Sequence, residues 1–142
     1  MSTNEKTVIT VKADVNAPAA KVWEMWVSPK HITQWNNASD EWHTPSAESD
    51  VREGGRFTAR MEAKDGSMGF DFAGQYNLVQ PTEKLRYTLD DGRKVEVLFS
   101  EEDNITTITE SFEAETQNSV ELQQQGWQAI LDNFKKYAES NP

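Results

Sequence analysis

The chain has 142 residues, no cysteine and a formal net charge of −10. That length suits one domain with a core of its own. Acidic residues spread along the chain, with no basic stripe, argue against nucleic acid and against anionic membrane surfaces. The lack of cysteine removes disulfides, zinc-thiolate sites, iron–sulfur clusters and thiol nucleophiles.

The first six residues are polar and read as no secretory leader, and no apolar run nears the ~20 residues of a membrane span, so a cytoplasmic protein is expected. Residues 8–15 alternate, with Ile9, Val11, Ala13 and Val15 on one side, as a half-buried strand does. Pro18 then suits a first helical turn, and Val22, Trp23 and Trp26 mark an amphipathic helix to about Val27. Ser28-Pro29 breaks it, and a second short helix is expected from His31 to about Asn36. Residues 37–50 are polar, with a short strand expected over 41–44.

From Arg52 onward the pattern is a meander. A strand over 56–63 puts Phe57, Ala59 and Met61 on one face, and Lys64-Asp65-Gly66-Ser67 turns it back. Further strands are expected over 68–79, 84–89, 93–100 and 105–113, with turns at Pro81-Thr82-Glu83, Asp90-Asp91-Gly92 and Glu101–Asn104. The total is six or seven strands. Ser119 is placed to cap a last helix, in which Trp127, Ile130, Leu131, Phe134 and Ala138 form one apolar stripe. About 20 helical residues span ~30 Å, enough to cross a sheet. Gly126 within that helix costs roughly 1 kcal/mol against alanine, and close approach of a strand backbone or a ligand is the expected reason.

The order strand, two helices, strands, helix carries several short signatures: Pro18-Ala19-Ala20-Lys21-Val22-Trp23, Trp35, Gly54-Gly55-Arg56-Phe57, Asp65-Gly66, Gly74-Gln75-Tyr76 and Gly126-Trp127. Together they resemble the Hsp90-ATPase-activator-homologue (AHSA1-like) family of the START-like, Bet v 1-like (SRPBCC) helix-grip superfamily, over about residues 8–138. The resemblance implies an α+β fold. A curved antiparallel sheet wraps around a long C-terminal helix, two short helices follow strand 1, and a cavity lies between. That superfamily includes lipid and hormone binders, aromatic polyketide cyclases and a co-chaperone domain. The eukaryotic co-chaperones carry a further N-terminal domain, for which this single domain, residues 1–142, has no room.

The histidines, His31 and His43, form no metal-ligand motif, and neither a nucleophile elbow nor a phosphate loop is present, so no metal or cofactor is expected. Asp71, Glu62 and Glu96 alternate away from apolar neighbours and face solvent. Glu110 shares parity with Ile108 and Phe112. If that face is inward, a carboxyl enters an apolar cavity with a raised pKa; otherwise Thr107, Thr109 and Ser111 face inward. Glu110 and His43, the latter near a cavity mouth, are the candidate acid–base groups. Phe57, Met61, Phe70, Phe72, Tyr76, Tyr87, Phe99, Trp127, Ile130 and Phe134 are candidate lining residues, with Trp35 and Trp42 at the entrance. Plain core packing gives the same pattern.

The function read from this is binding of a small apolar or aromatic molecule, anchored by a group such as Tyr87 or Glu110. An interaction module for a chaperone partner comes second. A cyclase- or hydrolase-like enzyme comes last, because no convergent acid–base pair is visible. Aromatic surface at Trp35 and Trp42 would favour a homodimer over a monomer.

Overall fold

The computed structural model describes residues 7–37 and 39–140. The elements run β1 (Val8–Val15), α1 (Ala19–Val27), α2 (Pro29–Trp35), β2 (Trp42–Ser49), β3 (Arg56–Ala63), β4 (Gly69–Gln80), β5 (Lys84–Leu89), β6 (Lys94–Glu102), β7 (Ile105–Glu113) and α3 (Val120–Ser140). The strands form one antiparallel sheet in the order β1-β7-β6-β5-β4-β3-β2. β2 to β7 are therefore a plain meander, and β1 closes on the last strand, with Ile9 opposite Phe112 and Val11 opposite Glu110. The turn between β6 and β7 uses Asp103 and Asn104, both at positive φ (53° and 64°), the backbone that tight hairpins require. A register shift between Tyr76 and Leu78 bends β4.

Both sheet edges are blunted. β2 carries Pro45 within a bulge between His43 and Ser46. The outer carbonyls of β1 are taken by α3: Gln128 donates from Nε2 to the Lys12 oxygen at 3.0 Å, and Lys135 donates from Nζ to the Asp14 oxygen. The same helix packs over β1 and leans on α2, where Asn133 Nδ2 donates to the Trp35 carbonyl at 2.7 Å. Ser119 does cap it, its Oγ accepting from the Leu122 amide at 3.1 Å.

Three expectations are corrected. β2 is twice the length expected from 41–44; as an edge strand facing solvent it carries Ser46, Glu48 and Ser49, which give no apolar alternation. A Cβ built on Gly126 would meet no atom within 4 Å, so neither strand nor backbone crowding explains that glycine. Trp35 offers no surface for a dimer: it is 5% exposed, its indole N–H donates to the Met25 carbonyl at 2.9 Å, and its ring packs against Trp26 and Phe134.

The core fills the space under α1, α2 and the C-terminal half of α3. Trp26 meets Trp35, Phe99 and Phe134 with ring centroids at 5.0, 5.9 and 4.9 Å. Val22, Ile108, Leu131 and Phe134 are completely enclosed. Toward β3 and β4 the packing changes, because α3 lies over β1, at the other end of the strand order.

Candidate functional site

The gap between α3 and the concave face of β3–β5 is a cavity of about 240 Å³. Its walls are aromatic. Phe57 stands over Gly74, its partner on β4; a Cβ there would lie 3.0 Å from the ring and 2.5 Å from the Thr88 carbonyl, so the glycine makes room for it. Phe57 in turn meets Phe72, Tyr76 and Tyr87 at 6.0, 5.2 and 4.9 Å. Trp127 forms the helix side. It stacks on Phe112 at 3.8 Å with 11° between planes, and its edge meets Phe72 at 5.9 Å. Phe70, 48% exposed, and the exposed Glu48 are rim residues, so the mouth lies along β2–β4.

Glu110 is at the inner wall. It sits on β7 between Ile108 and Phe112, opposite Val97 of β6 and Val11 of β1, all buried. The residue is 6% exposed, and among the described residues its carboxyl makes no hydrogen bond or ion pair. Desolvation alone raises its pKa to about 8 from an ordinary 4.5. Tyr87 is buried on the same concave face, on β5, and lines the cavity with its hydroxyl also unpartnered among the described residues. Burial pushes the Tyr87 phenol well up, and the Glu110 and Tyr76 charges add to it. Tyr76 differs: its hydroxyl is within 2.9 Å of Ser49 Oγ, which partly offsets the upward effect of burial. Every fully enclosed polar side-chain atom among the described residues has a hydrogen-bond partner. The Glu110 carboxyl and the Tyr87 hydroxyl therefore keep accessible surface, and both residues line the cavity.

Among the described residues Arg93 is the one basic side chain in the lining, at the turn into β6, with its Nε donating to Asp91 at 2.8 Å. Among the described residues no group of three or more His, Asp or Glu side chains gathers as a metal site, and no helix is long and apolar enough to cross a membrane.

The structure brings Trp35, Phe57, Met61, Phe70, Phe72, Tyr76, Tyr87, Glu110, Trp127 and Ile130 to this one cavity. It does not bring the others there. Phe99 and Phe134 are enclosed in the cluster around Trp26. Trp42 packs against Phe70 at 6.0 Å outside the lining. His43 points away to Glu62, 3.8 Å off, with its side chain 44% exposed. Sequence reasoning missed Ala59 and Leu85 as lining, although both share parity with Phe57 and Tyr87 and could have been included on that signal. Trp26, Ile32, Asn36, Glu48 and Arg93 come from helices, an edge strand and a hairpin end, where spacing carries no such signal.

A family model for Activator of Hsp90 ATPase homolog 1-like protein matches residues 16–139. A search of the curated proteins finds no match. Among solved structures, the chain is similar to the AHSA1-like protein from Aeromonas hydrophila at 44% identity and a TM-score of 0.89, covering 94% of this chain and 93% of that one. It is similar to Chr148 from Cytophaga hutchinsonii at 51% identity and a TM-score of 0.81, covering 94% and 92%. The protein CV1439 from Chromobacterium violaceum, at 20% identity and a TM-score of 0.83 over 93% and 96%, shares the fold. The curved seven-stranded sheet gripping α3 is thus the helix-grip fold expected from the sequence. The chain belongs to the family of Activator of Hsp90 ATPase homolog 1-like proteins.

Proposed function

We propose that this chain is a single-domain binding module that takes a small apolar or aromatic molecule between β3–β5 and α3, with Glu110 and Tyr87 as its polar anchors. One observation carries the reading: a buried carboxyl on the wall of an aromatic-lined cavity has no partner among the described residues. Burying a neutral polar group without a hydrogen bond costs roughly 2–7 kcal/mol, an ionised carboxylate more, and few such groups are left uncompensated. A cavity of ring faces with one or two unpaired polar groups is what a small-molecule site requires.

Titration with the neutral dye N-phenyl-1-naphthylamine tests this. Saturable fluorescence enhancement is expected from the native chain. It should be lost in Ala59→Phe, which places a ring where a buried methyl now lines the cavity. No saturable binding by the native chain, or equal binding by a folded Ala59→Phe variant, removes the reading.

A further inference from the structure

We infer that the molecule held here is a flat aromatic ketone or related carbonyl compound, whose oxygen accepts a hydrogen bond from the Glu110 carboxylic acid, with the Tyr87 hydroxyl as a second donor on the same wall. The inference rests on the binding role proposed above and specifies its ligand.

Apolar side chains surround Glu110. Its neighbours across the sheet are Val97 on β6 and Val11 on β1, and α3 presents Trp127, stacked on the adjoining Phe112. The titratable groups that share the cavity are Tyr87 on β5, Tyr76 on β4, Arg93 at the turn into β6 and Glu48 on the rim of β2. Tyr76 is occupied by Ser49 and Arg93 by Asp91. α1, α2 and the residue that follows α2 add Trp26, Ile32, Trp35 and Asn36, none of them titratable. Glu110 therefore has no cation at ion-pair distance among the described residues.

An unpaired carboxyl in such a place is most stable as the neutral acid, and burial does raise its pKa to about 8. A neutral acid has one O–H to donate, and the Tyr87 phenol has another. Two donors with no acceptor among the described residues call for an acceptor on the ligand. A carbonyl oxygen supplies one without bringing a charge into the cavity. Shape restricts the ligand further. About 240 Å³ between the rings of Phe57, Phe72 and Trp127 admits a two- or three-ring flat molecule. An anion would have to give up its hydration where the basic lining residue, Arg93, is already bonded to Asp91. A cation would first have to displace the proton.

Three probes of one shape decide between these chemistries: fluorene, 9-fluorenone and protonated 9-aminofluorene, each competed against bound N-phenyl-1-naphthylamine. At pH 6 the ketone is expected to be favoured over the hydrocarbon by about tenfold, the worth of a buried hydrogen bond. At pH 9, with the acid ionised, that preference should fall by about tenfold. Glu110→Gln keeps an N–H donor that does not titrate, so its ketone preference should be the same at both pH values. This variant also controls for any change in the protein at pH 9. Glu110→Leu should bind fluorene yet lose the ketone preference, and Tyr87→Phe should reduce it. A ketone-to-hydrocarbon ratio unchanged by pH and by Glu110→Leu overturns the inference and leaves the binding role standing. Preferential binding of 9-aminofluorene, abolished in Glu110→Gln, also overturns it, in favour of a cationic ligand. Failure of all three probes and of the dye overturns the binding role itself, and the inference with it.

Discussion

Replacing Glu110 by glutamine should make the protein more stable, and more so as pH rises. In the folded chain the Glu110 acid holds its proton up to pH about 8, against an ordinary 4.5. The unfolded chain releases that proton first, so rising pH draws the equilibrium toward the unfolded state. The favourable contribution of the buried neutral acid is complete below pH 4.5 and is lost as pH climbs through 8. At ~1.4 kcal/mol per pH unit, the loss is on the order of 3 kcal/mol by pH 7 and about 5 kcal/mol by pH 9. Glutamine has the same outline and never ionises. Urea denaturation followed by tryptophan fluorescence at pH 5, 7 and 9 measures this directly. The two proteins should agree within about 1 kcal/mol at pH 5 and diverge by the stated amounts at pH 7 and 9. The self-repulsion of a chain with net charge −10 also grows with pH, but it acts on both proteins and cancels in the difference. Asp65, held low by the Ser67 hydroxyl and amide, and Glu139, held low by the Asn16 amide, lose their contributions only as pH falls below the ordinary carboxylate range, outside this window. Parallel stability curves would refute the placement of Glu110 as an unpaired buried acid.

Other substitutions probe the frame around it. Gly126→Ala should stabilise the chain by about 1 kcal/mol, since a methyl there meets nothing and the helix gains, and it should leave dye affinity unchanged; a loss of stability by urea titration would show that α3 approaches the sheet more closely than described. Phe112→Ala removes a fully enclosed ring and the surface on which Trp127 stacks, so a loss of about 3–5 kcal/mol is expected, together with a shift in tryptophan emission. Trp35→Phe leaves the Met25 carbonyl without its indole donor, for about 1–3 kcal/mol by the same urea assay.

Much of the frame was legible because the meander alternates strictly. In β3, β5 and β7 each inward side chain is apolar or aromatic apart from Glu110 and Thr106, whose hydroxyl donates to the Ala17 carbonyl, and each turn carries residues suited to reversal, so the boundaries at 56–63, 84–89 and 105–113 coincide with β3, β5 and β7. β2 was illegible for the opposite reason. It is an edge strand with a proline-bearing bulge, and Glu48 and Ser49 belong to a surface that no core pattern selects. Ser28-Pro29 does separate the two short helices, but the second begins at Pro29 rather than His31, because a proline's missing N–H is harmless at a first helical position.

The site was harder to read because ring side chains do not reveal whether they enclose a space or each other. Phe99 and Phe57 alternate in the same way along their strands. One is sealed against Trp23 and Trp26, the other lines a cavity, and the difference lies in where α3 rests. That helix lies over β1, tied by Gln128 and Lys135 to the strand's outer carbonyls. Held there, it seals the side nearer β7 and leaves β3–β5 uncovered except through Trp127 and Ile130. Glu110 is the exception that periodicity could expose. Its parity with Ile108 and Phe112 placed a carboxyl on an apolar face, and on such a face a charge needs a partner or a use. The described residues offer it no partner, and in the binding role proposed above its use is to anchor what enters the cavity.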